Sequence, residues 1–163
     1  MTYYFLDTTA LIYAYVPGCE EVRDIVARSR RDEGGSRVLV CDIAFLEALH
    51  FLIARAEKGL YNRELLPEAA TRLRGDFDDV SPAYAIVEVS AVISKAYDWM
   101  QLYSLTPRSA VTLQAACVSQ EILSDAQVCL VTTDEEQYRA ADEAGFSVCR
   151  PWLLNAEEAL PEP

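Results

Sequence analysis

The sequence predicts an α/β fold: a three-layer α/β/α sandwich with a central, mainly parallel sheet. Three observations predict it. Three short apolar runs, Tyr3-Tyr4-Phe5-Leu6, Val38–Cys41 and Val128–Val131, read as buried strands, and Phe146–Cys149 as a fourth strand. Segments with helical spacing of apolar residues alternate with them. Turn and capping residues punctuate the alternation, with no internal repeat, linker or low-complexity stretch. The 163 residues suffice for one domain with a full core. Residues 1–150 read as that domain, and the Pro- and Glu-rich residues 151–163 as a partly ordered tail.

Each element has a local reason. The first strand ends in Asp7, followed by Thr8-Thr9 and an apolar helix over Ala10–Val16, and Pro17-Gly18 makes a turn. Glu20–Arg31 reads as a helix with Val22, Ile25 and Val26 on one face and a basic end that suits the helix dipole. A polar loop, 32–36, leads to the second strand. Asp42 then caps a helix over Ile43–Lys58, closed by Gly59. That helix is hydrophobic nearly all round, so burial is expected. Arg63–Arg74 is expected as a helix ended by Gly75, with Phe77–Val80 as an acidic connector or edge strand. Pro82–Tyr103 reads as one helix with the stripe Ile86, Val89, Ile93, Ala96, Tyr97 and Met100. Thr106 as N-cap and Pro107 at the first position start a helix through Ile122. After the third strand comes Thr132-Thr133-Asp134, a helix to Ala144 capped by Gly145, and the last strand.

Composition narrows the function classes. No apolar run reaches the roughly 18 residues of a membrane span, and the start lacks a secretory leader pattern, so a cytoplasmic protein with no membrane partner is expected. Five cysteines, Cys19, Cys41, Cys117, Cys129 and Cys149, form no C-x-x-C pair and read as small hydrophobes in a reducing compartment. The net charge of −12 repels a polyanion at long range. Any nucleic-acid role must use local basic residues, bound cations or a partner's charge.

The chemistry-bearing residues are acids. Asp7 stands at the carboxyl end of a buried strand, where open parallel sheets bind ligands, and it also stands where a helix N-cap belongs. Glu47 lies within Ala44-Phe45-Leu46-Glu47-Ala48-Leu49, where an isolated carboxylate must be protonated, paired, metal-bound or led to solvent. His50, the single histidine, reads as a hydrogen-bonded core residue, and Asp76, Asp78 and Asp79 as a solvated turn. Asp134 repeats the strand, hydroxyl and acid theme of Asp7. Three separated elements thus deliver one acid each to a plausible common edge, and hard oxygen donors on rigid elements suit Mg²⁺ or Mn²⁺. A cation so held polarises a phosphodiester and lowers the pKa of an attacking water.

In order and spacing these pieces resemble the PIN domain family, many of whose members are VapC-type toxins of toxin–antitoxin pairs. The resemblance covers about residues 3–150. It rests on the strand followed by Asp7-Thr8-Thr9-Ala10-Leu11, on Glu47 in its apolar helix, and on Val131-Thr132-Thr133-Asp134 followed by an Ala-rich helix, a Gly and a strand. It implies an α/β/α sandwich and a metal-dependent endoribonuclease. Asp7, Glu47 and Asp134 would be the catalytic acids and hold one or two Mg²⁺ or Mn²⁺ ions, with Thr8 and Thr132 as supporting hydroxyls. It implies RNA as substrate, an antitoxin protein as partner and a homodimer.

One position departs from the family pattern. A further Asp usually stands early in the helix before the last acidic strand, and here that position is Ser109, beside Arg108. A neutral hydroxyl is a weaker cation ligand. Arg108 either disfavours a second cation or contacts a substrate phosphate. A weakened site holding one ion is expected. Two functions are therefore compatible with the sequence: a toxin-type ribonuclease, and a PIN-fold interaction module that has lost most catalysis. A small-molecule phosphatase-like hydrolase would need a Gly-rich phosphate loop after the first strand, and that stretch carries none.

Overall fold

The computed structural model describes residues 1–31, 37–57, 65–78 and 83–151. Strand β1 (Thr2–Leu6) forms from β-branched and aromatic residues, and Asp7 stops it by capping α1 (Thr8–Tyr13). There follow α2 (Glu20–Arg30), β2 (Arg37–Cys41), α3 (Asp42–Glu57), α4 (Leu65–Asp78) and β3 (Tyr84–Val87). A short 3-10 turn, Val89–Ala91, leads into α5 (Ile93–Tyr103), then α6 (Pro107–Ile122), β4 (Gln127–Val131), α7 (Glu135–Glu143) and β5 (Val148–Cys149).

The five strands form one parallel sheet in the order β3-β2-β1-β4-β5. The chain walks outward from β1 to β2 to β3, then crosses back to β4 and β5 on the other side. Right-handed crossovers put outward and returning connections on opposite faces. Helices α1 to α4 accordingly pack among themselves, as do α5 to α7. The topology therefore switches between β1 and β4, and such a sheet opens a ligand crevice at the carboxyl ends of those two strands. Leu6 pairs with Val131 there, and the Asp7 N–H donates to the Val131 carbonyl at 3.1 Å. The central strands are the core: Phe5, Leu6, Val40, Val128, Leu130 and Val131 are fully enclosed, with Leu11, Ile12, Leu52, Leu73 and Leu113 packed over them.

Several sequence expectations need correction. Residues 84–87 are a strand, not part of a Pro82–Tyr103 helix, and Pro82 lies outside the described residues. The backbone there is claimed by β2, with Val40 opposite Ile86. The first helix begins at Thr8 rather than Ala10 and ends at Tyr13 rather than Val16. Helix α4 runs through Gly75 to Asp78, so Gly75 does not end it. Packing outweighs the glycine: Phe77 in that last turn stacks between Phe45 and Tyr84, at 4.0 and 5.1 Å. Asp79 and Val80, half of the expected connector, lie outside the described residues, as do Lys58, Gly59, the Arg63 start of the next expected helix, the 32–36 loop and the tail from residue 152. Helix α3 is not buried all round, because Ile43, Leu46, His50 and Ile53 share one exposed side. His50 is thus a surface residue.

The end of α7 follows its sequence signal. Gly145, at φ +71°, lets the chain reverse, with its N–H on the Asp142 carbonyl and the Phe146 N–H on that of Ala141. Among the described residues, no helix is long and apolar enough to cross a membrane.

All five cysteines are free thiols, with Cys19 and Cys41 buried and the others half-buried. Burial, then the nearby Asp42 and Glu47, push the Cys41 thiol up from near 9 to about 12. Burial and Glu121 push Cys117 up to about 11. Since the folded values exceed the unfolded ones, this stabilisation is full below about pH 9 and is lost as pH rises toward 11–12. The melting temperature should hold to about pH 9 and fall above it, and a Cys41→Ala, Cys117→Ala double variant should show a shallower fall. An unchanged slope in that variant would assign the alkaline loss to other groups.

Candidate active site

The carboxyl ends of β1 and β4 carry Asp7 and, three residues past Val131, Asp134. Each caps the helix that follows its strand. Asp7 Oδ1 accepts from the Ala10 N–H at 2.6 Å, and Asp134 Oδ1 accepts from the N–H groups of Glu136 and Gln137 at 2.9 and 3.1 Å. Capping through Oδ1 fixes each side chain and leaves Oδ2 to other partners, the Thr132 hydroxyl for Asp7 and the Ser109 hydroxyl for Asp134. Both readings of Asp7 therefore hold together: it is an N-cap, and it stands in a cleft.

The cleft is lined by Asp7, Thr8 and Thr9 from one side and by Arg108, Ser109, Thr112, Asp134 and Gln137 from the other. Asp7 is only 6% exposed. Its Oδ2 lies 2.5 Å from the Thr132 hydroxyl and 3.3 Å from the Thr133 N–H. Burial raises its carboxyl above the usual range, against the lowering effect of these hydrogen bonds, and the charge of Asp134 raises it further. Among the described residues, no basic side chain pairs with it.

The Thr132 hydroxyl has two acceptors in reach and one proton to give. Asp7 Oδ2 is one, and Gln137 Oε1 at 2.7 Å is the other, while the same oxygen accepts from the Asp134 N–H at 3.0 Å. The amide of Gln137 is fixed because its Nε2 donates to the Ser109 carbonyl at 2.9 Å. Every group is satisfied when Asp7 carries a proton and donates to Thr132, which then donates to Gln137.

Ser109 sits at the start of α6, capped by Thr106 behind Pro107. Its hydroxyl donates to Asp134 Oδ2 at 2.7 Å and lies 2.9 Å from the Thr106 hydroxyl. Glu47, on the second turn of α3, stands apart from the other two acids. It does not line the cleft. Its Oε2 accepts the Thr8 hydroxyl at 2.6 Å and lies 4.0 Å from an Arg108 nitrogen. Asp7, Asp134, Thr8, Thr132, Ser109 and Arg108 thus meet at one sheet edge, with Glu47 joined through Thr8 and Arg108. Gln137 and Thr112 belong to the site as well, and nothing in the sequence reading pointed to them.

The donor set suits a hard divalent cation. A carboxylate has about four lone-pair sites. Ionised, as a cation requires, Asp7 would accept three hydrogen bonds, as Asp134 does, so each keeps capacity for one more partner. Among the described residues, however, no three acidic, histidine or cysteine side chains stand close enough to enclose an ion. Two carboxylates, neighbouring hydroxyls and water would hold a single ion in this arrangement, as Mg²⁺ and Mn²⁺ accept.

A sequence profile described as "PIN domain" matches residues 4–143. Among solved structures, that of PAE2754 from Pyrobaculum aerophilum is similar, with a TM-score of 0.56 over 90% of this chain and 83% of that one. At 13% identity this likeness is one of fold. No curated protein matches the chain.

Proposed function

Since the chain belongs to the PIN domain family, we propose that it is a metal-dependent endoribonuclease that hydrolyses phosphodiester bonds with a metal-activated water. The observation that carries this is that Asp7 and Asp134 both line the switch-point cleft, where the charge of Asp134 raises the Asp7 carboxyl. A desolvated carboxylate beside a second acid, with no basic partner among the described residues, is a place where a cation relieves both burial and repulsion. Asp7 and Asp134 would hold Mg²⁺ or Mn²⁺, with Glu47 as a further acid. The bound ion supplies charge neutralisation at the phosphate and a more acidic water.

The chain's own residues do the positioning. Ala10 and Gln137 backbone N–H groups fix the two carboxylates, and Thr132 ties β1 to β4 through Asp7. Thr8 holds Glu47, and Gln137 locks the start of α6 against the sheet edge. In this reading the protein is a cytoplasmic VapC-type toxin. An antitoxin with a basic segment would complement the net charge of −12. The exposed Ile43, Leu46 and Ile53 of α3 support a homodimer.

A second reading, an interaction module with impaired catalysis, is favoured by one feature. Ser109 supplies no charge where the family pattern has an acid, and its hydroxyl proton is spent on Asp134. Titrating Mn²⁺ into native protein and Ser109→Asp, with cleavage of a mixed structured RNA as readout, separates the two. Under the ribonuclease reading, native protein cuts, and Ser109→Asp reaches half-maximal rate at about tenfold less Mn²⁺, because it adds a charged oxygen ligand. If only Ser109→Asp cuts at any Mn²⁺ concentration, the natural chain is a binding module.

A further inference from the structure

The acidic chain leaves the cleft with a shortage of positive charge that any RNA ligand must overcome. Among the described residues lining the cleft, Arg108 is the one basic side chain. It is about one-third exposed, and its guanidinium already holds a counter-ion, Glu47, at 4.0 Å. At that distance the pair is an electrostatic contact rather than a bidentate hydrogen-bonded fork. The same Glu47 oxygen, Oε2, also accepts the Thr8 hydroxyl at 2.6 Å. The pair thus joins Arg108, which lines the cleft with Asp7 and Asp134, to an acid that does not line it.

We propose that Arg108 is the anchor for a substrate phosphate, and that its ion pair with Glu47 is exchanged for that phosphate when RNA binds. The proposal rests on the reading of the cleft as an RNA-cleaving site. The two non-bridging oxygens of a phosphodiester offer the guanidinium the parallel hydrogen bonds that Glu47 does not supply in this geometry. Once Arg108 turns to the phosphate, Glu47 loses its counter-charge and its negative charge becomes available to a cation held by Asp7 and Asp134. RNA and metal then bind with positive linkage, each raising the affinity for the other by the same factor. The neutral Ser109 fits this device. An acid there would place a second carboxylate next to Arg108 and compete with the phosphate for it.

The probe is a short single-stranded 2′-O-methyl RNA, measured first in chelator and then with Mn²⁺. In chelator, Arg108→Gln should weaken binding about tenfold, the loss of a charged hydrogen-bonded contact, and Arg108→Lys should recover part of it. Glu47→Gln should strengthen binding several-fold, because it removes the competitor for Arg108. Equal affinity of native protein and Arg108→Gln would overturn the anchor. Weaker binding by Glu47→Gln would overturn the exchange and make Glu47 a support for Arg108 instead. With Mn²⁺ followed by electron paramagnetic resonance, saturating oligonucleotide should tighten Mn²⁺ binding several-fold in native protein and leave it unchanged in Arg108→Gln. An untightened native site would likewise overturn the exchange. Failure of the ribonuclease reading has a different signature: native protein binds no Mn²⁺, while both effects in chelator persist.

Discussion

Asp7→Asn is expected to reduce Mn²⁺-dependent RNA cleavage to background while raising the melting temperature of the metal-free protein. The loss should exceed about a hundredfold, the upper end of what removing a mere outer-shell partner of a metal costs. The gain in stability comes from proton counting around Thr132. An asparagine oxygen still accepts the Ala10 N–H, and asparagine is as good an N-cap as aspartate. Its Nδ2 can donate to the Thr132 hydroxyl, which then gives its own proton to Gln137 Oε1. Only the long contact from the Thr133 N–H, at 3.3 Å, is lost. In the metal-free native protein Asp7 must either hold a proton or bury a charge beside Asp134, and asparagine needs neither. Asp7→Ala should behave differently. It loses the cap as well, at about 1 kcal/mol, and leaves Thr132 and Thr133 facing an empty space. Thermal melts in chelator separate the two: a rise for Asn and a fall for Ala. A fall for both would make Asp7 a structural acid.

Asp76→Ala is expected to lower stability by about 2 kcal/mol and the melting temperature by about 4–8 °C, with no change in Mn²⁺ affinity. Asp76 is no solvated turn residue. It lies in the last turn of α4, where it accepts the Tyr15 hydroxyl at 2.5 Å and pairs with Arg30. Tyr15 also lies 2.8 Å from the Tyr84 hydroxyl, with the guanidinium groups of Arg30 and Arg72 each 5.8 Å from its ring centre. Burial, reinforced by Tyr84 and Asp76, pushes the Tyr15 phenol far above its usual range, so it stays a neutral donor. One carboxylate thus ties together the chain after α1, the end of α2, the end of α4 and the start of β3. Its removal leaves Arg30 and Tyr15 without their acceptor. Tyr84 pairs with Val38 at the start of β2, so this cluster sits at the amino end of the sheet, opposite the cleft. Asp76→Asn, which keeps an acceptor for Tyr15, should lose about half as much. A change in Mn²⁺ affinity in either variant would mean that the two ends of the sheet are coupled.

Much of this arrangement is legible in the sequence because burial on both faces writes it in continuous apolar runs. Strands β1, β2 and β4 announce themselves that way, and Asp7 and Asp134 stand where those runs stop. Strand β3 is different. It is an edge strand, with Ala85 and Ile86 exposed, and its apolar residues fall into step with Val89 and Ile93 as a helix would. Its pairing with β2 is a contact between residues distant in the chain, which local spacing does not encode. The site divides in the same way. Acids next to hydroxyls are visible, and so is Ser109 as a departure from a pattern. Gln137 is hidden in a polar helix, although its place three residues after the capping Asp134 is where a capping-box Gln belongs. That signal could have marked it, but its actual partners, Thr132 and the Ser109 carbonyl, come from the fold. The pairing of Glu47 with Arg108 is equally non-local, and it changes Glu47 from an isolated acid to one already balanced.

The role of Asp7 and Asp134 in holding a cation needed for RNA cleavage is tested most directly by comparing three proteins in one assay. Native protein, Asp7→Asn and Asp134→Asn, prepared together, are given a mixed structured RNA with Mn²⁺ and again with chelator. Native protein is expected to cleave with Mn²⁺ alone, and neither variant under any condition. Cleavage by both variants at the native rate, or by native protein in chelator, would contradict that role.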